Sequence, residues 1–124
     1  MRAKSKTLTE QELEIMKVVW ELQTATVRDV YEVLLRRRKI AYTTVMTMMN
    51  ILEEKGYLKK RADDKAYVYR PTKAKAKVIR AMVQEFVGRV FNGSAQPLLV
   101  QLVKDRKISE KDLAEISRQI KEAE

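Results

Sequence analysis

Ala41-Tyr42-Thr43-Thr44-Val45-Met46-Thr47-Met48-Met49-Asn50-Ile51-Leu52-Glu53-Glu54-Lys55-Gly56, running on into Tyr57-Leu58-Lys59-Lys60-Arg61, is the stretch from which the fold can be read. Val45, Met48, Met49 and Leu52 recur at the spacing that gathers side chains on one face of an α-helix, and Gly56 supplies a left-handed residue to end it. A third helix is therefore predicted over roughly 42–55. Counted at about 100° per residue from Val45, the opposite face carries Thr43, Thr47, Asn50 and Glu54, with Thr44 and Met46 on its flanks. That face is small, polar and nearly uncharged. Threonine is a middling helix former, and an exposed face serving stability alone is better filled by Glu, Lys or Gln, so Thr43, Thr44 and Thr47 point to contact with another molecule. Met46, Met48 and Met49 read as core filler.

The residues after this helix read as a hairpin. Tyr57 to Arg61 and Ala66 to Arg70 are strand-like, Ala62-Asp63-Asp64-Lys65 lies between them as a turn, and Pro71 closes the second strand. Tyr67 and Tyr69 share a face, where packing is the expected role. A two-stranded hairpin is marginal alone and must lean on the helices.

Two helices precede the quoted stretch. Thr9 with Glu12 forms a capping box, with Leu8 and Leu13 as its hydrophobic staple, and Leu13, Met16, Val19 and Trp20 place an apolar stripe on a core helix that lapses near Gln23. Thr26 and Asp29 repeat the cap, and Val27, Val30, Tyr31 and Leu34 follow at helical spacing. Arg36-Arg37-Arg38-Lys39 is a solvated basic run that also suits phosphate.

Beyond the hairpin, Ile79, Met82, Val83, Phe86 and Val90 stripe a fourth helix, Leu98, Leu99, Leu102 and Val103 a short fifth, and Leu113, Ile116 and Ile120 a sixth that Ser109 and Asp112 cap. These helices lack room for a core of their own, so their apolar faces are expected to meet a second copy of the chain. The chain is thus mainly α with a small β-hairpin wing, a winged helix-turn-helix over 1–72 followed by a helical dimerisation region over 73–124.

Composition excludes much else. Among 124 residues there is no Cys and no His, so neither a thiolate nucleophile, a Ser-His device nor a zinc site of the usual ligands is available. No enzyme activity, metal or small-molecule cofactor is expected. The basic N-terminus Met1 to Lys6 has no apolar run behind it, and nowhere do 18 apolar residues follow one another, which points to the cytoplasm. Net charge is +9, and residues 1–77 hold 18 Lys/Arg against 10 Asp/Glu. A phosphate backbone is the commonest partner of such a face, although an acidic protein or lipid surface attracts it as well. A docking scaffold for an acidic protein therefore stays open as a rival. Membrane-surface binding through the fourth helix is the other, disfavoured by that helix's modest charge and lack of an interfacial Trp.

Taken together, these residues resemble the penicillinase repressor family (BlaI/MecI type) of winged-helix regulators. Leu8 to Met16 with Val19-Trp20 looks like the family's opening helix, Ala41 to Thr47 with Leu52 to Leu58 like its recognition helix and first strand, and Ala66 to Pro71 like its returning wing strand. The resemblance implies a homodimer that represses genes from a palindromic operator, typically resistance genes or those for a membrane protease of the sensor type. It implies that Thr43, Thr44 and Thr47 meet bases or adjacent phosphates, with Asn50 on the same face, and that Arg61, Lys65 and Tyr67 sit on the wing. In the family, induction involves cleavage at an Asn-Phe bond in the dimerisation region. The corresponding pair here is Gln101-Leu102, a departure from that pattern. The copper-responsive branch carries C-terminal cysteines that this chain lacks, so the likeness does not extend to copper sensing.

Overall fold

The computed structural model describes residues 7–123, so the basic segment Met1 to Lys6 lies outside the described residues. Six helices and one hairpin succeed one another in the order α1 (Glu10–Leu22), α2 (Val27–Leu35), α3 (Tyr42–Glu54), β1 (Leu58–Asp63), β2 (Ala66–Pro71), α4 (Lys75–Phe91), α5 (Gln96–Lys104) and α6 (Glu110–Ala123). Among the described residues no helix is long and apolar enough to cross a membrane. Contacts divide the chain into two compact units, between Met82 and Val83.

The first unit is built on its caps. Thr9 Oγ1 accepts from the Glu12 amide at 3.1 Å while Glu12 Oε1 accepts from the Thr9 amide at 2.8 Å. Thr26 and Asp29 do the same at 3.1 and 2.9 Å. Each box satisfies amides that a helix start leaves without intrahelical partners. Gln23 ends α1 at φ 72°, and Gly56 comes after α3 at φ 87°, where the Tyr57 amide donates back to the Leu52 carbonyl at 2.9 Å. The stripes then meet: Ile15, Met16 and Val19 of α1, Val30 and Leu34 of α2, and Val45, Met49 and Leu52 of α3 are essentially inaccessible to solvent. Val78 at the start of α4 joins them. Trp20 is only half-buried, with its indole N–H donating to the Lys73 carbonyl at 3.0 Å.

The hairpin is longer than its sequence suggested. Ala62 and Asp63 pair with Tyr67 and Ala66, leaving Asp64-Lys65 alone as the turn, with Asp64 at φ 56°. It leans on the helices through backbone as well as side chains. Between α1 and α2, Ala25 forms an antiparallel bridge to Tyr69, N···O distances 3.0 and 2.8 Å, a one-residue third strand. Leu58 and Tyr69 bury their side chains beneath it.

The second unit has a different character. The Ser109 cap is present, its hydroxyl accepting from the Asp112 amide at 3.1 Å. Among its described residues, however, none is buried. Val83, Phe86 and Val90 on α4, Leu99 on α5, and Ile116 and Ile120 on α6 are exposed, while Leu98, Leu102, Val103 and Leu113 are half-covered. The Gln101-Leu102 bond lies inside α5.

Candidate nucleic-acid interface

Burial of the α3 stripe dictates what the opposite face presents. With Val45, Met49 and Leu52 inside, Thr43, Thr44, Thr47 and Asn50 are exposed, as are Tyr42 and Met46. Met48 is half-buried and Met49 fully buried, but Met46 is 40% exposed, so only two of the three methionines fill the core. The departure has a geometric reason: Met46 lies about 100° round the helix from Val45, off the buried stripe.

Beside this face runs an open groove of about 580 Å³, lined by α3, the start of α2 and the hairpin. Tyr42, Met46 and Asn50, successive turns of α3, form one wall, and Lys60, Lys65, Tyr67 and Tyr69 form the other. Thr26, Val27 and Arg28 close one end. Strand alternation explains the second wall. Lys60 is registered opposite Tyr69, and Ala62 opposite Tyr67, so these side chains share the face turned toward α3. Arg61 pairs with Val68 on the other face, where its guanidinium lies 3.8 Å from Asp63.

Several contacts hold the walls. The Tyr69 hydroxyl donates to Asn50 Oδ1 at 3.0 Å, tying the hairpin to α3. Burial pushes the Tyr69 phenol up from its ordinary value, against the nearby charge of Lys60. Lys60 Nζ sits 4.6 Å above the Tyr67 ring and 3.4 Å from Glu53. Arg28 stacks over Tyr42 at 5.9 Å, and Tyr31 meets the same ring edge-on at 5.4 Å. The described residues lining the groove include three cations and no carboxylate. Lys60 and Arg28 lie 3.4 and 3.9 Å from Glu53 and Glu32, which stand outside the lining, so the slot is moderately electropositive beside a small polar helix face and suits a phosphodiester strand with its base edges turned to the helix.

Of the residues expected from sequence, the structure brings together Thr43, Thr44, Thr47 and Asn50 on one helix face, with Lys65 and Tyr67 across the groove from it. Arg61 stands on the back of the wing. Arg36 to Lys39 do not line the groove: Arg37 and Arg38 turn toward α1, where Arg38 bonds Glu14 at 2.8 Å. Sequence reasoning missed Arg28, Lys60 and Tyr42, and assigned Met46 to the core although it had placed it on the flank of the exposed face. Arg28 had a visible signal, a cation one residue past the start of a capped helix. Lys60 had its place in the alternation with the tyrosines.

The arrangement has known counterparts. A family model described as "Penicillinase repressor" matches residues 8–122. The chain is 33% identical over 103 residues to the transcriptional regulator BlaI of Mycobacterium tuberculosis, covering 82% of this chain and 75% of that one. It is 24% identical over 115 residues to the penicillinase repressor of Bacillus licheniformis, covering 93% and 90%. Among solved structures, the solution structure of the DNA-binding domain of the repressor BlaI superposes with a TM-score of 0.53 at 27% identity, over 60% of this chain and 92% of that one.

Proposed function

The chain belongs to the penicillinase repressor family, and from that premise we propose that it is a homodimeric DNA-binding transcriptional repressor of the BlaI/MecI type that occupies a palindromic operator. It is a regulator rather than an enzyme, as are the relatives it matches. In this reading α3 lies in the major groove. Thr43 and Thr47 meet base edges, Thr44 the adjoining phosphates, and Asn50 continues the face. Arg61, Lys65 and Tyr67 belong to the wing, which tracks the backbone and is joined there by Arg28 and Lys60.

One observation carries the reading. From Thr43 to Asn50 the exposed face of α3 presents three threonines, Met46 and Asn50 and no charge, while the elements beside it supply cations, Arg28 from α2 and Lys60 and Lys65 from the hairpin. Charge placed around a neutral reading surface separates affinity from sequence choice, as duplex recognition requires. The dimer is supported by the second unit, whose described residues include none that is buried: Leu98, Leu99, Leu102, Val103, Leu113, Ile116 and Ile120 are expected to be covered by their counterparts in a second copy. A two-fold dimer implies a palindrome.

The regulated genes are those of resistance or of a sensor protease, and a membrane protease is the proposed regulatory partner, acting at or near Gln101-Leu102. That bond lies within α5, so cutting it requires α5 to unwind locally. Titration with duplex DNA at several salt concentrations, using the chain's own upstream region beside scrambled duplex, tests the reading. Tight binding that prefers the upstream region and falls linearly with log salt is the expected result. Weak, sequence-indifferent binding would replace it with a docking scaffold for an acidic protein.

A further inference from the structure

The groove beside α3 contains a group that the repressor reading leaves unused, the exposed side chain of Met46. It stands one turn after Tyr42 and one turn before Asn50, in the middle of the wall that faces Lys60 and Lys65. An exposed methionine alone is ordinary on a protein surface. Its neighbours give it meaning. From Thr43 to Asn50 the outer face of α3 has no charged side chain and no Gln, so it cannot offer guanine the paired donors of an Arg or Lys. Asn50 is the one amide on that face, and its Oδ1 already accepts from Tyr69. Beside the Asn50 amide donors, hydroxyls and methyls are what remains.

We propose that Met46 is a specificity-determining residue that reads thymine by packing its thioether against the C5-methyl group in the major groove. The inference rests on α3 being the recognition helix. Thymine alone among the four bases presents a methyl there, and an apolar side chain is the group that distinguishes it. Methionine suits the task because its unbranched, polarisable chain adapts to an irregular surface. The position suits it as well. Cations on the far wall and at the end of the groove hold a backbone strand alongside, which brings the methyl edge of a base to the flank of α3 where Met46 stands.

The experiment first selects preferred duplexes from a random pool with the full chain, then replaces each thymine of the half-site in turn by deoxyuridine, which removes only the methyl. With the wild type, the position that Met46 reads should lose about fourfold in affinity per half-site, the worth of one buried methyl group, whatever penalties other positions show. Met46→Ala should bind thymine and uracil equally at that position while keeping its other uracil penalties and its salt slope. Met46→Gln should move the preference there toward adenine, which pairs with an amide. A thermal melt of each variant separates reading from folding. An unchanged uracil profile in Met46→Ala, or no uracil penalty in the wild type, overturns the assignment. If selection enriches no sequence at all, the repressor reading itself has failed and takes this proposal with it.

Discussion

Lys55 Nζ donates to Glu12 Oε1 at 2.8 Å, with both side chains almost wholly buried, and so joins the end of α3 to the first turn of α1. The same ammonium donates to the Thr7 carbonyl at 3.1 Å, and the same carboxylate oxygen closes the capping box on Thr9. A buried ion pair adds little over an apolar pair of the same shape, but removing one partner leaves a charge stranded away from water. Lys55→Met should therefore lower unfolding free energy by about 3 kcal/mol, and Lys55→Met with Glu12→Gln by less than the two changes summed. Urea unfolding of the single and double variants measures this. Full additivity would mean that the two groups do not act as a pair.

Acid should find the same place. Burial pushes the Glu12 carboxyl up, but hydrogen bonds from Lys55 and the Thr9 amide, with the charge of Lys55, outweigh it and leave the group below its ordinary value. A carboxyl lowered in the folded state contributes stability above its unfolded-state value, and that contribution is lost as pH falls through the folded-state value. Stability traced from neutrality to about pH 2 should decline less steeply for Glu12→Gln than for the wild type. Parallel curves would exclude Glu12 as a source of the acid limb.

Assembly is tested on α5 and α6. Leu102→Asp with Ile116→Asp places two charges in the proposed interface and should give monomers without unfolding the first unit, whose core contains neither residue. Sedimentation at micromolar concentration, beside a melt, distinguishes these outcomes. A wild type that already sediments as a monomer would refute the dimer.

On the wing, Lys65→Ala and Arg61→Ala should each weaken binding to every duplex alike and reduce the salt slope by roughly 1. Asp63→Asn should have the opposite effect, because it frees the Arg61 guanidinium from a carboxylate 3.8 Å away. A changed sequence preference in either alanine variant would make the wing a reader of bases.

Thr47→Ala removes a hydroxyl and a methyl from the exposed face of α3. The expected loss is on the order of 1 kcal/mol per half-site at one base position, since threonine makes single contacts. Melting should hardly move, alanine being the better helix former. If binding to operator variants keeps the wild-type order, α3 does not read bases through this residue.

Local chemistry made most of the fold legible. Thr9 with Glu12 and Thr26 with Asp29 bond as their spacing suggests, and the stripe from Val45 to Leu52 points inward. What stayed hidden was of two kinds. The Ala25 to Tyr69 bridge is one residue long and has no periodicity to detect, and the Lys55 to Glu12 pair joins positions 43 residues apart. Met46 was misread rather than hidden: its chemistry suggested the core, although its angle around α3 already put it on the flank of the exposed face. The candidate site was half legible. Its neutral face is local to one helix, whereas Arg28 and Lys60 reach the groove only through tertiary packing.

Tyr69 has a consequence for kinetics. Its backbone is fastened to Ala25 and its hydroxyl to Asn50, so the loop after α1, the hairpin and α3 are clamped at a single residue. The conformational entropy of aligning wing and helix is lost once, during folding, and need not be lost again at each encounter with DNA. Docking then proceeds as a collision between nearly rigid bodies, its rate set by electrostatic steering rather than by rearrangement. Tyr69→Phe loosens the clamp and releases Asn50 Oδ1, so its effect should fall on how fast complexes form and part and, in sequence preference, only at the base that Asn50 faces.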